Sequence, residues 1–119
     1  MMKNYELLIH DKNTEDASQK VDVVGCLDSH TVVEFEKTIQ DVLITPPNHL
    51  VLDLSKLTYI SSAGISALMG LTYKLRKDHS ELILLKPSEK VYRVFRTLGF
   101  TSIFKIVEDE DALGEAISN

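Results

Sequence analysis

The chain has 119 residues, 44% of them hydrophobic and 26% charged, with a formal net charge of −5 and one cysteine. That length and balance predict one domain whose core needs neither a disulfide nor a metal. The acidic balance excludes nucleic-acid binding driven by phosphate contacts. Cys26, being alone, excludes an internal disulfide and fits a reducing compartment.

Met1-Met2-Lys3-Asn4-Tyr5-Glu6 carries no signal-like apolar core, and no run approaches the ~18 apolar residues of a membrane span. A soluble cytoplasmic protein, not bound to membrane, is expected. Tyr5 to His10 predicts a strand, and Asp11 to Asp16 a polar turn. Lys20 to Gly25, with Val21, Val23 and Val24, predicts a second strand in a hairpin with the first. Asp28, Ser29 and Thr31 all offer capping oxygens, and Thr31 with Glu34 fits a capping box. Val32, Phe35, Ile39, Val42 and Leu43 then follow helical spacing up to about Ile44, before Pro46-Pro47.

Leu50, Val51, Leu52 and Leu54 form the apolar run of a central strand covered on both faces. The chain then leads through Ile60 to Ser61 and Ser62, with helix expected from Ala63 or Gly64. Ile65, Leu68, Met69, Thr72 and Leu75 form its buried stripe, and Lys74, Arg76 and Lys77 favour its C-terminal end. Glu81 to Leu85 is a further strand. Pro87-Ser88 opens a helix through Val91, Val94, Phe95 and Leu98, stopped by Gly99 with Phe100 beyond it. Lys90, Arg93 and Arg96 give that helix a solvated basic face. Ile103 to Val107 predicts a last strand, and Asp109 to Ile117 a last helix. Strands alternating with helices predict an α/β fold with a mainly parallel sheet, mixed because of the opening hairpin.

The chemistry concentrates at Ser62. A hydroxyl at a helix start meets backbone N–H groups and a dipole that favour negative charge, so a phosphate there finds an anion-compatible site. Ala63 and Gly64 would let a partner approach closely, while Gly64 and Gly70, inside one helical pattern, predict close packing of that helix against a neighbour. A capping role for Ser61 or Ser62 is compatible with modification. A serine hydrolase is disfavoured, because the nucleophile elbow needs Gly where Ile60 stands. His10, His30, His49 and His79 lack the context of a base or a paired metal site, so no catalytic residue, metal or cofactor is expected. Asp53 near a strand end lacks the acidic pair of a phospho-receiver. Asp28 reads as a cap that shares one end of the sheet with Ser62.

Gly25-Cys26-Leu27-Asp28, Leu52-Asp53-Leu54-Ser55 and Tyr59-Ile60-Ser61-Ser62-Ala63-Gly64 together resemble the STAS domain family, and more narrowly its bacterial anti-sigma-factor antagonists. The likeness runs from about Tyr5 to Ile117. It implies a single STAS domain, a mixed α/β sheet with helices mainly on one face, and partner switching. In that cycle the unmodified protein binds an anti-sigma factor that is also a serine kinase, which frees a sigma factor. Phosphorylation releases it, and a metal-dependent serine phosphatase resets it. The resemblance puts the acceptor on Ser62, with Ser61 the runner-up, and the partner surface on Asp28, Ser61, Ser62, Ala63 and Gly64. A monomer or weak dimer is expected. Two positions depart from the family: Ser61 stands where Asp is frequent, and Cys26 where Glu is frequent. They leave open a STAS scaffold or transport-complex subunit that is never phosphorylated, and a small enzyme or nucleotide binder is the remaining class.

Overall fold

The structure is a computed structural model that describes residues 4–118, so the first three residues of the stretch read for a leader lie outside it. In chain order the elements are β1 (Tyr5–Ile9), β2 (Ser18–Leu27), α1 (Thr31–Val42), β3 (His49–Asp53), β4 (Leu57–Ile60), α2 (Ser62–Lys77), β5 (Glu81–Leu85), α3 (Glu89–Thr97), β6 (Lys105–Val107) and α4 (Glu110–Ser118). The strands form one sheet in the order β1-β2-β3-β5-β6, with β4 also on β2. β1 and β2 are antiparallel, and every other pair is parallel. This is the mixed α/β sheet the sequence predicts.

β3 and β4 share one edge of β2. β3 pairs with Ser18 to Asp22, and β4 with Gly25 to Leu27. The sequence reads as one strand running towards the serines, whereas the structure breaks it. The Asp53 carboxylate accepts the Ser55 amide at 2.9 Å, Leu57 N–H turns back to the Leu54 carbonyl at 3.1 Å, and Gly25 N–H donates to the Lys56 carbonyl at 2.9 Å. Gly25 makes the junction possible. Its φ is +95°, and an added Cβ would sit 2.2 Å from the Asn4 carbonyl oxygen, so the strand bulges there on the one residue that tolerates both conditions.

Alternation on β3 and β5 builds two cores. Leu50, Leu52, Leu54, Leu82 and Leu84 face α1, α2 and α3, and meet Phe35, Ile39, Ile65, Leu68, Leu75, Val91 and Phe95. Val51, Ile83 and Leu85 face the other way, with Val107 and Leu113 of α4. Three helices thus cover one face and one covers part of the other. Phe95 is fully buried, edge-on to Phe104 with ring centroids 5.3 Å apart.

Several boundaries move, β2 among them, which runs Ser18–Leu27 and not only Lys20 to Gly25. The Thr31–Glu34 capping box does not form: His30 holds the cap position without a side-chain bond. Asp28 serves the helix start instead, because its carboxylate reaches the first amides from two residues further back. α2 begins at Ser62, with Ser61 as its cap. Ile103 belongs to a 3-10 turn after Gly99, not to β6, and its N–H donates to the Phe100 carbonyl at 3.0 Å. The glycine stop itself is as expected, with Gly99 at φ +80°. Lys90, Arg93 and Arg96 are solvated, with Arg93 paired to Glu89 at 3.4 Å.

Ion pairs tie α4 to the sheet. The Glu110 carboxylate accepts from Lys20 Nζ at 3.1 Å and from Lys86 Nζ at 3.3 Å. Buried Asp53 lies 3.9 Å from Lys20 and 3.8 Å from Lys86. The hydrogen bond from Lys20 above all, with Lys86 adding, holds the Glu110 carboxyl below the usual glutamate range against partial burial.

Phe95→Ala is expected to lower stability by about 3–5 kcal/mol, with the denaturant m-value unchanged in urea unfolding. Glu110 contributes stability only while it is ionised, so that contribution is complete above the ordinary glutamate range and lost as pH falls through its lowered value. Glu110→Gln should therefore melt below wild type at neutral pH, and the two thermal midpoints should converge on acidification.

Candidate functional site

The site forms where β2 and β4 end side by side. The Leu27 carbonyl, the last acceptor of β2, takes the Ser61 amide at 2.9 Å. An added Cβ on Gly64 would lie 2.6 Å from that same oxygen and 2.8 Å from Ile60 Cγ1. α2 can therefore start against the end of β2 only with glycine at this position. Gly64 itself is buried and faces Leu27, so its smallness serves packing.

At the mouth of α2, Ser61 is extended (φ −95°, ψ 175°) and its hydroxyl accepts the Gly64 amide at 3.4 Å. Its carbonyl accepts the Ile65 amide at 2.9 Å. Ser61 is half-buried and engaged as the cap, whereas Ser62, one residue on, is exposed. Among the described residues, no hydrogen bond engages the Ser62 hydroxyl. The first turn of α2 carries no acidic residue and its last turn carries Lys74, Arg76 and Lys77, so nothing on the helix offsets the positive end of its dipole.

Asp28 follows Leu27 directly and borders this mouth. Its carboxylate accepts the amides of His30 at 2.9 Å and Thr31 at 3.0 Å. The Thr31 hydroxyl accepts the Asp28 amide at 2.9 Å and donates to the Cys26 carbonyl at 2.8 Å. The Thr31 and then the His30 backbone N–H hold the Asp28 carboxyl below the usual aspartate range. A fixed negative charge thus sits on the loop beside the serines. The part of Thr31 as a clamp across Cys26 and Asp28 was missed by sequence reasoning, which took it for a helix cap. Its one signal is the three-residue spacing from Asp28, which suits a closed polar turn.

The fold brings Asp28, Ser61, Ser62 and Ala63 to one surface with Gly64 beneath them. Cys26 is half-buried with its Sγ 4.0 Å from Thr58 Oγ1. Asp53 lies elsewhere, beside Lys20 and Lys86 on the α4 side of the sheet. Among the described residues no three His, Cys, Asp or Glu side chains come together to hold a metal ion. No described helix is long and apolar enough to cross a membrane.

The STAS domain model matches residues 12–113. The chain belongs to the STAS domain family. BtrV of Bordetella bronchiseptica is 32% identical over 92 residues, covering 77% of this chain and 79% of that protein. The anti-sigma-B factor antagonist of Listeria monocytogenes is 25% identical over 103 residues, covering 87% and 89%. Among solved structures, an anti-sigma factor antagonist from Mycobacterium paratuberculosis superposes with a TM-score of 0.81 at 23% identity, covering 97% of this chain and 95% of its own. The anti-sigma factor antagonist SpoIIAA in its unphosphorylated form gives a TM-score of 0.73 at 20% identity, covering 97% of both chains. The phosphorylated form of SpoIIAA, a Bacillus cell fate determinant, gives 0.65 at 19%, covering 94% and 98%.

Two glycines of α2 separate packing from propensity. Gly64→Ala should cost about 1–3 kcal/mol and displace the mouth of α2 from the Asp28 loop. Gly70, expected to pack closely like Gly64, is instead exposed, and an added Cβ there meets nothing within 4 Å, so Gly70→Ala should raise stability by up to about 1 kcal/mol. Thermal unfolding of the two variants checks both signs.

Proposed function

We propose that this STAS domain is an anti-sigma factor antagonist that binds its partner through Asp28, Ser61, Ser62 and Ala63, and that phosphorylation of Ser62 ends the contact. The observation that carries the reading is the exposed, unengaged hydroxyl of Ser62 at the first position of α2, beside a serine already used as the cap. The family and its relatives named as anti-sigma antagonists support the role.

The physics of the site suits a switch. Phosphate adds about −1.5 to −2 charge at neutral pH. At the start of α2 that charge meets the positive end of the helix, with no acidic side chain in the first turn, so the fold survives modification. A partner surface fitted to a neutral hydroxyl instead meets a bulky dianion, whose desolvation without a matched cation is costly. Asp28 already supplies one negative charge on the neighbouring loop, so the second arrives where repulsion adds to it. Binding is lost while the domain stays folded.

Ser61 is where the family frequently carries Asp. Ser and Asp are about equally good N-caps, so the substitution keeps the cap and removes a charge beside the acceptor. As the cap, Ser61 is the weaker acceptor of the two. In this reading the partner is an anti-sigma factor with serine-kinase activity, and a metal-dependent serine phosphatase resets the protein.

Incubation with ATP and the genomically adjacent candidate kinase, followed by mass spectrometry, tests the reading. Phosphate is expected on Ser62 and absent in Ser62→Ala. Phosphate on Ser61 would move the site, and none from a kinase active on another substrate would favour a scaffold. Ser62→Asp should weaken partner binding by about 30-fold or more, the equivalent of ~2 kcal/mol. Its thermal midpoint should stay at the wild-type value.

A further inference from the structure

β1 is an edge of the sheet, and its pairing with β2 fixes which main-chain groups face outwards. Cys26 N–H donates to the Asn4 carbonyl at 2.7 Å, and His10 N–H donates to the Lys20 carbonyl at 3.0 Å. With the antiparallel register Glu6–Val24 and Leu8–Asp22 between them, the even-numbered positions bond inwards. The N–H and C=O groups of Tyr5, Leu7 and Ile9 therefore point away from the sheet, and among the described residues none of them has a partner.

The two edges of the sheet differ in protection. β6 is three residues long, begins with Lys105, and is followed by Glu108, Asp109 and Glu110. Shortness and charge keep other strands from adding to it. β1 has five residues and one charge, Glu6, and carries no proline or lysine. Leu8 and Ile9 on it are 42% and 52% exposed.

We propose that β1 is a self-association edge, pairing antiparallel with β1 of a second copy of this chain about a two-fold axis at Leu7. The register is self-complementary. Leu7 faces Leu7, Tyr5 faces Ile9, and Glu6 faces Leu8, so no like charges oppose each other across the seam. All the outward groups of Tyr5, Leu7 and Ile9 find partners in this one register, and exposed Leu8 and Ile9 gain cover. A pairing of five residues per copy makes a small interface, so the dimer is weak and concentration-dependent. The net charge of −5 on each copy opposes association, so added salt strengthens it. β4 and the start of α2 lie on the other edge of β2. Both copies thus keep Ser62 open, and the dimer presents two sites.

Sedimentation velocity on the full chain, from micromolar to near-millimolar concentration, tests this. Wild type is expected to rise from monomer to dimer mass. Ile9→Lys, at an exposed position, should raise the dissociation constant about tenfold or more. Leu7→Pro removes the central outward donor and leaves the bonds to β2 intact, and it should abolish the dimer. Hydrogen exchange at the Leu7 amide should slow as concentration rises. A monomer throughout the range would overturn the proposal. So would a dimer equally strong in Ile9→Lys, which would put the contact on another face, such as the groove between α1 and α2 lined by Ile39, Leu43, Ala67 and Gly70.

Discussion

The carbonyl of Leu27 ends β2, accepts the Ser61 amide, and leaves beside it only the space of a residue without a side chain, which Gly64 fills. From that contact the rest of the mouth follows. It fixes the first turn of α2 against the sheet. It makes Ser61 the cap, and it leaves Ser62 as the first residue facing water. It also sets Asp28, the next residue after Leu27, on the same rim. Because interiors are close-packed, a shift of a few tenths of an ångström at this point is passed on to every group a partner would touch.

The same end of the sheet depends on a second constraint, one bulge earlier. Gly25 lets β2 change register, so the strand can pair with β3 along its first half and β4 along its second. Without that change the chain after Asp53 would have no edge of β2 to return to. The two glycines act differently: Gly25 supplies a left-handed φ, whereas Gly64 supplies absence of volume.

Charge is distributed to match these roles. On the α4 side, Lys20, Lys86, Asp53 and Glu110 neutralise one another and hold a helix in place. At the mouth of α2, no ion pair forms among the described residues. Asp28 is spent on amides of its own turn, and α2 has nothing acidic in its first turn. A permanent network suits a structural join. An open dipole end with one exposed hydroxyl suits a place where charge is added and removed.

Much of this was legible in the chain. The apolar runs Leu50 to Leu54 and Glu81 to Leu85 gave buried strands, and 3.6-residue spacing gave the helices. Gly99 gave a stop, and the run Tyr59 to Gly64 gave the family and the serine of interest. Those are local signals, set by which side chains recur on one face. The break between β3 and β4 was not legible, because the strand reads as leading on through Ile60 to the serines, and only main-chain bonds to distant segments, from Leu54 N–H to the Leu85 carbonyl and from Gly25 N–H to the Lys56 carbonyl, divide it. The choice of Ser61 over Ser62 as cap, and the failure of the Thr31–Glu34 box, were not legible either, whereas Asp28 as a cap and a packing role for Gly64 were. By itself the sequence determined the mixed α/β fold and the residues from which a site could be made. Only the tertiary structure decided which hydroxyl is engaged and which is open, because that depends on where the end of β2 stands when α2 begins, a distance between segments more than thirty residues apart.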